Sequence, residues 1–202
     1  MKKILIAAFA LFIGTSVFAQ ENPLTFGVQA GLNMSQFSAP KSGGETGDAT
    51  DMLPGFYIGG HANYSFGEYF GLQGELKFSM QGGKESEDGE TLKLKLNYIN
   101  VPVLFEVKPA TNFSIFVGPQ IGFNVSKSAS AGGVSVSGSD FEDAFAKVNT
   151  IDFAAVVGVQ YAIQGKYLLS ARYNIGINSA FDQDGLSGFA NRVIQIGFGY
   201  KF

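Results

Sequence analysis

The sequence predicts an all-β fold: an eight-stranded antiparallel up-and-down transmembrane β-barrel. Eight segments alternate between apolar residues and small or polar residues with a period of two, which is typical of strands that have two different faces. The connections between these segments alternate between tight turns and long polar loops. An export signal precedes the first segment. The 202 residues suffice for one domain with a substantial core.

The first nineteen residues have the organisation of a cleaved signal peptide. Lys2 and Lys3 form a basic start, residues 4–13 are apolar, and Val17-Phe18-Ala19 ends in the small residue that signal peptidase requires. We therefore expect a signal peptide at 1–19 and a single barrel domain at 20–202. The alternative is a membrane-anchoring helix, but such a helix needs ~20 apolar residues, and the apolar stretch at residues 4–13 is shorter. No cysteine follows, which excludes a lipoprotein.

Each predicted strand has about ten residues or more, the length that a tilted strand needs to cross a bilayer. In the first strand, Phe26, Val28 and Leu32 lie on one face, and Gln29 and Asn33 lie on the other. The eight predicted strands are Thr25–Ser35, Gly55–Phe66, Tyr69–Gln81, Thr91–Val107, Phe113–Lys127, Ile151–Gln164, Tyr167–Asn178 and Asn191–Phe202.

The fourth predicted strand contains a change of phase. Its apolar residues occupy even positions from Leu92 to Tyr98 and odd positions from Val101 to Val107. A one-residue shift of this kind indicates a β-bulge, and Pro102 fits one because proline cannot donate to the ladder. We therefore predict that both sets face lipid and that a bulge in this strand separates them.

The loops divide into two classes. Residues 66–69, 108–112 and 164–166 make tight connections, whereas residues 36–54, 82–90, 128–150 and 179–190 make long polar ones. Short turns on one side and long loops on the other are the layout of outer-membrane barrels. We expect the long loops to be solvated, and the near-repetitive stretch 127–138 to be mobile.

Alternation alone does not decide which face is inside, because a lipocalin-type barrel places its apolar face inward. Here the polar face is rich in small residues that fit a narrow lumen, and Tyr64, Tyr161, Tyr167 and Tyr200 lie near strand ends, as an aromatic girdle requires. The apolar face is therefore predicted to meet lipid. The C-terminal alternation of Phe198, Tyr200 and Phe202 resembles the insertion signal that the barrel assembly machinery recognises.

These features resemble the small outer-membrane β-barrel family of Gram-negative bacteria, labelled "porin family" or "outer membrane protein beta-barrel domain" and related to PorT-like proteins. The resemblance covers essentially the whole mature chain. It implies an outer-membrane barrel and supplies no catalytic residue. The segments that carry it are Phe18-Ala19-Gln20, residues 26–33, residues 98–104, Gly118-Pro119 and Ala171-Arg172-Tyr173.

Composition excludes several functions. With no cysteine, the chain has no disulfide, thiolate nucleophile or thiolate metal site. Acidic residues already outnumber basic ones, and cleavage of the signal peptide removes Lys2 and Lys3 and so makes the chain more acidic. The chain also has no basic stripe, so we expect no nucleic-acid partner. No cofactor is predicted. The acidic stretch with Glu85, Glu87, Asp88 and Glu90 matches no calcium loop, which favours a solvated surface over a cation site.

Charged residues on the polar face are predicted to form an internal network that fills the lumen. The alternative for the same residues is a selectivity lining. Lys77 and Lys95 are expected to be neighbours on adjacent strands, with Glu75 close by. This arrangement fits a network, because buried charges must be paired to be tolerated. The predicted lumen network comprises His61, Glu75, Lys77, Lys93, Lys95, Glu106, Asp152 and Arg172, and Lys201 shares the same face.

The sequence favours a non-enzymatic barrel that has a structural or binding role through its long extracellular loops. The alternatives are a narrow porin and, from another class, a lipid-modifying enzyme that uses His61. An enzyme of that kind requires a base facing the membrane beside a serine, whereas His61 is predicted to face the lumen. The expected partners are outer-membrane lipid, the assembly machinery during insertion and a loop ligand that the sequence does not identify.

Overall fold

The computed structural model describes residues 23–38, 41–42, 45–46, 49–87, 90–138, 140–141, 147–182 and 188–202. The predicted signal peptide, Asp88 and parts of three long loops lie outside the described residues. The strands are β1 (Leu24–Phe37), β2 (Lys41–Ser42), β3 (Glu45–Thr46), β4 (Asp51–Phe66), β5 (Phe70–Glu87), β6 (Glu90–Ala110), β7 (Phe113–Ala131), β8 (Val134–Ser137), β9 (Ile151–Ile163), β10 (Tyr167–Gly176) and β11 (Asn191–Lys201).

Eight of these strands close into a ring of antiparallel neighbours, in the order β1, β4, β5, β6, β7, β9, β10 and β11. The ring closes where β1 pairs with β11, for example at Val28 opposite Tyr200. Each ring strand therefore pairs with the preceding and following ring strands along the chain, and closure removes the sheet edges. The predicted eight-stranded up-and-down barrel is confirmed. No helix among the described residues is long and apolar enough to cross a membrane.

The two faces of the wall have opposite chemistry. On β5, Phe70 and Leu76 are 47% and 60% exposed on the outside, whereas Glu75 and Lys77 are 4% and 0% exposed inside. A soluble barrel would show the reverse, so the inverted arrangement that the sequence predicted is confirmed. Tight turns join the strands at one end, where Gly67 and Gly165 adopt positive φ values of 80° and 69° that favour glycine.

The predicted phase change in β6 is wrong. Its even-numbered residues face inward without interruption from Leu96 to Glu106, and Tyr98 is 1% exposed. The bulge lies instead on β7, where Ser126 pairs with Asn97 and Asn124 pairs with Tyr98. What changes along β6 is the chemistry of the interior, because the loop end of the lumen is apolar.

Several strands extend beyond their predicted ends. β5 and β6 remain paired as far as Glu87 and Glu90, so most of the predicted loop 82–90 is a strand hairpin. The stretch 127–138, which we expected to be mobile, forms the end of β7 and the short strand β8 that pairs with it. The wall is therefore taller on the side of β5, β6 and β7 than elsewhere.

An apolar cluster covers the long-loop end of the interior, and we call it the apolar cap. Val148 and Phe181 form an isolated bridge between two loops, and the Phe37 and Phe181 ring centroids are 5.2 Å apart. The expectation that these loops are solvated is thus wrong for their buried aromatic residues. The buried members of the apolar cap are Phe37, Leu96, Tyr98, Ala129, Phe141, Val148, Ala180 and Phe181.

Candidate functional site

The centre of the barrel interior is organised by the carboxylate of Glu75. Arg172 Nη1 donates to both of its oxygens, at 2.6 and 2.7 Å, and Lys77 Nζ lies 3.0 Å from Oε2. The three side chains are almost fully buried. A buried charge is tolerated only when it is paired and hydrogen-bonded, and here one acid is shared between two bases.

Neutral side chains extend this network across the lumen toward β1 and β11. Lys77 Nζ donates to Gln195 Oε1 at 3.4 Å, and Gln195 Nε2 donates to Asn33 Oδ1 at 2.8 Å. Asn33 Nδ2 in turn donates to Ser79 Oγ at 3.0 Å. These bonds connect residues from three ring strands, so the network joins opposite parts of the wall.

Toward the short-turn end, Gln73 and Asn63 connect Glu75 to a second carboxylate. Gln73 Nε2 donates to Glu75 Oε1 at 2.6 Å, and Asn63 Nδ2 donates to Glu106 Oε2 at 2.7 Å and to Gln73 Oε1 at 3.3 Å. Lys108 Nζ, at the rim of the lumen, lies 3.5 Å from Glu106 Oε2. The connected charges therefore extend from the rim to the centre.

Asp152 belongs to a separate group below the apolar cap. Asn191 Nδ2 donates to Asp152 Oδ2 at 2.7 Å and to the Tyr98 hydroxyl at 3.3 Å. This carboxylate is thus held by an amide, whereas Glu75 is held by cations.

Inward-facing glycines make room for the large interior side chains. A Cβ atom on Gly197 would collide with the Tyr57 hydroxyl, and one on Gly158 would lie 2.6 Å from Arg172 Cγ. A narrow eight-stranded lumen holds long side chains only where nearby positions on the wall leave space for them, and most of these glycines pair directly with the large residue on the adjacent strand. The pairs of this kind are Gly27 with His61, Gly31 and Gly197 with Tyr57, Gly59 with Lys77, Gly71 with Glu106, and Gly158 with Arg172.

We predict that Gly197→Ala lowers the free energy of unfolding by about 1–3 kcal/mol, because the added methyl group overpacks the interior against Tyr57. Urea unfolding of the barrel in vesicles measures the effect. Gly74→Ala is the matched control, since a Cβ there meets no atom within 4 Å. Replacing Tyr57 by Phe in the Gly197→Ala variant is expected to recover part of the loss, and an equal loss in both glycine variants would contradict the space-filling explanation.

The structure separates the predicted lumen residues into three groups. Glu75, Lys77, Arg172 and Glu106 lie in one connected network. His61 and Asp152 are also buried in the interior, and the His61 ring lies over Gly27, away from the lipid-facing surface. Lys93 and Lys95 lie on the outward face of β6, and Lys201 lies on the inward face of β11 at the short-turn rim of the lumen.

Lys93 and Lys95 are not in the lumen, and this prediction is wrong. They lie on the outward face of β6 above the apolar band, where Lys93 is exposed and Lys95 is partly exposed. Lys95 pairs with Gly82, whereas Lys77 pairs with Asn100, so the two lysines are not neighbours. The physical reason is the same as for the predicted phase change: the apolar residues of β6 that alternate with these lysines face inward, against the apolar cap. Lys201, in contrast, keeps its predicted inward phase and is partly exposed at the end of β11, where it pairs with Gly27.

The neutral members of the network are not among the predicted lumen residues. Gln73 and Asn63 link Glu75 to Glu106, and Gln195 links Lys77 to Asn33. The Tyr57 ring centroid lies 5.5 Å from Lys77 Nζ. The sequence feature that could have identified them is the period-two alternation, which places them on the inward face. That signal identifies the face but not the bonding partner on another strand.

The interior contains buried polar atoms that have no protein partner among the described residues. Asn174 Oδ1 and Nδ2, Gln120 Oε1, Asn100 Nδ2 and Arg172 Nε and Nη2 are buried and make no hydrogen bond among the described residues. These residues lie on β6, β7 and β10, and further atoms of this kind on β1 and β4 are Gln29 Nε2, the Tyr57 hydroxyl and His61 Nδ1. Buried polar groups of this kind are normally satisfied by water, which indicates that the lumen is partly hydrated.

Within the described ranges, no group of three or more His, Asp or Glu side chains could hold a metal ion. The acidic stretch is only partly covered by the structure, which places Glu85 and Glu90 on the β5–β6 hairpin.

The aromatic residues of the last strand lie on the outward face. Phe198 and Phe202 are 52% and 61% exposed, and Tyr200 contacts Phe202 and Tyr167 at centroid distances of 5.5 and 5.6 Å. They form part of the aromatic girdle at the short-turn end. Recognition of Phe198, Tyr200 and Phe202 by the assembly machinery stays a prediction.

A closed eight-stranded ring with a lipid-facing apolar band, an aromatic girdle and a polar interior defines an integral β-barrel of the Gram-negative outer membrane. The chain belongs to the family described as the outer membrane protein beta-barrel domain, whose model matches residues 18–182.

Solved structures of small outer-membrane barrels share this fold. Neisserial surface protein A is 18% identical with a TM-score of 0.57, and the match covers 88% of this chain and 97% of that one. Ail, the attachment invasion locus protein of Yersinia pestis, is 18% identical with a TM-score of 0.52, covering 88% of this chain and 98% of that one. At this identity the likeness concerns the fold alone. The comparison with curated proteins finds no match.

Proposed function

We propose that this protein is a barrel with a closed lumen that has a structural or binding role at its long-loop end and does not conduct solutes. The observation that carries the proposal is the buried Glu75–Lys77–Arg172 group, which lies across the centre of the interior. An eight-stranded barrel has an interior just wide enough for side chains, so a connected network of this size leaves little room for a solute.

The apolar cap supports the same proposal, because it closes the interior at the long-loop end as well. Phe37, Phe141 and Phe181 are buried beneath the loops at the end that faces outward in this topology. An apolar constriction opposes the passage of ions because it does not replace their water. A solute would therefore have to displace both the cap and the network.

We expect no steady conductance steps when the refolded mature protein is recorded in a planar bilayer. Folding is first verified by the heat-dependent gel shift typical of such barrels. Reproducible steps of constant size from a folded sample would contradict the closed lumen. The charged interior would then be a selectivity lining.

The hydrated part of the lumen favours a second candidate, a narrow porin for small solutes. Its path would follow Asn100, Gln120 and Asn174, whose side chains have polar atoms without protein partners. If the barrel conducts, Asn174→Leu is expected to lower the conductance, whereas Asn63→Leu on the densely bonded side is expected to change it less. An enzyme that modifies lipid is not favoured, since His61 lies in the interior over Gly27.

A further inference from the structure

The β5–β6 hairpin above the apolar band has two differently charged faces. Leu92 and Leu94 pack against the apolar cap and therefore mark the inner face, which Glu85 shares because it pairs with Leu92. Alternation places Lys93 and Lys95 on the opposite, outer face, together with Lys84, which pairs with Lys93. We call Lys84, Lys93 and Lys95 the outer lysine patch.

The outer lysine patch continues the lipid-facing surface of the barrel. On β5 the same face carries the apolar residues from Phe70 to Met80, and on β6 it carries Val101 and Phe105. Lys84 lies four residues beyond Met80, which at ~3.3 Å per residue on a tilted strand places it about 10 Å above the apolar band. This is the depth at which the charged groups of the outer leaflet lie.

The positive charge of the patch is poorly compensated. Lys84 and Lys93 lie directly opposite each other, and like charges at such positions repel. The acid in register on this face is Asp51, which pairs with Lys84 from β4. In the part of the chain that the structure describes, none of the three lysines takes part in an ion pair.

Hydroxyl groups border the patch on its other side. On β7, Ser130 pairs with Lys93 and Ser128 pairs with Lys95, so both serines share the outer face. Ammonium groups flanked by hydroxyl donors are suited to phosphate oxygens, which accept several hydrogen bonds.

We propose that the outer lysine patch binds the phosphate groups of a phosphorylated glycolipid in the outer leaflet, the lipid A part of lipopolysaccharide. The patch faces the leaflet rather than the aqueous loops, and the anion relieves the repulsion between Lys84 and Lys93. This interaction goes beyond the proposed function and is independent of whether the lumen conducts.

The test is a titration of the refolded barrel, in uncharged detergent, with fluorescent bisphosphorylated lipid A, followed by anisotropy. Lys93→Gln combined with Lys95→Gln is expected to raise the half-saturation concentration roughly 25-fold, because each basic residue at an anionic surface contributes about a factor of five. The matched control removes two other exposed lysines, Lys147→Gln with Lys166→Gln, and is expected to bind like the wild type. The gel shift verifies that each variant is folded, and the single Lys93→Gln change is expected to give an intermediate value.

Binding of dephosphorylated lipid A shows whether the patch recognises the phosphate groups or the acyl chains. Competition with inorganic phosphate shows whether the site prefers the glycolipid or binds any soluble anion. We expect weak binding of the dephosphorylated lipid and little competition by millimolar phosphate. Equal binding of both lipids, an unchanged double variant or full displacement by inorganic phosphate would each overturn the proposal.

Discussion

Glu75→Gln is expected to lower the free energy of unfolding by about 3–5 kcal/mol, the largest single effect in the interior. The substitution keeps the shape of the side chain and removes its charge, which leaves Lys77 and Arg172 buried without a counter-ion. Breaking a buried ion pair by neutralising one partner costs this much because the remaining charges stay desolvated. Urea unfolding in vesicles, or the midpoint of the heat-dependent gel shift, measures the loss.

Two other substitutions make this prediction specific. Glu68→Gln, in an exposed tight turn, is expected to change stability by less than about 0.5 kcal/mol. Arg172→Met is expected to lower heat resistance less than Glu75→Gln does, because Glu75 keeps Lys77 and Gln73, and to leave targeting to the outer membrane unchanged. Wild-type stability in Glu75→Gln would show that the network does not hold the barrel together.

Phe37→Ala is expected to cost about 3–5 kcal/mol, since truncating a buried phenylalanine loses its burial and leaves a cavity. Phe37 is 1% exposed at the end of β1 and packs against Phe181 from a loop. The substitution should therefore loosen the apolar cap more than the ring of strands. Urea unfolding reports the total loss, and limited proteolysis reports whether the loops open first.

Val134→Ala is the control for the cap, because Val134 is 70% exposed on β8 and its truncation should change little. The Phe37→Ala barrel is also expected to remain silent in a planar bilayer, since the Glu75 network still fills the centre. Conductance that appears only in this variant would assign the closure of the lumen to the cap rather than to the network. Unaltered stability would mean that the cap contributes little to the fold.

Period-two alternation was sufficient for the barrel because it is a local property. In β1, Phe26, Val28 and Leu32 alternate with Gln29 and Asn33, and both sets lie on the faces that the pattern predicts. The same rule fails in β6, where Leu96 and Tyr98 face inward although they are apolar. A strand pattern contains no information about a loop that folds over the barrel end, so it could not indicate that apolar residues there belong to the interior.

The sequence by itself determined the number of strands in the ring, the inside and outside of the wall except at the loop end of β6, the tight turns at one end, and the burial of Glu75, Lys77 and Arg172. Each follows from residue chemistry at fixed spacing along one strand. The tertiary structure alone decided that Arg172 meets Glu75 across 97 positions of the chain, that Gly197 makes room for Tyr57, and that Lys93 and Lys95 lie on the outward face of the wall. These features depend on strand register and on closure of the ring, which bring together residues that are far apart in the sequence and follow no regular spacing.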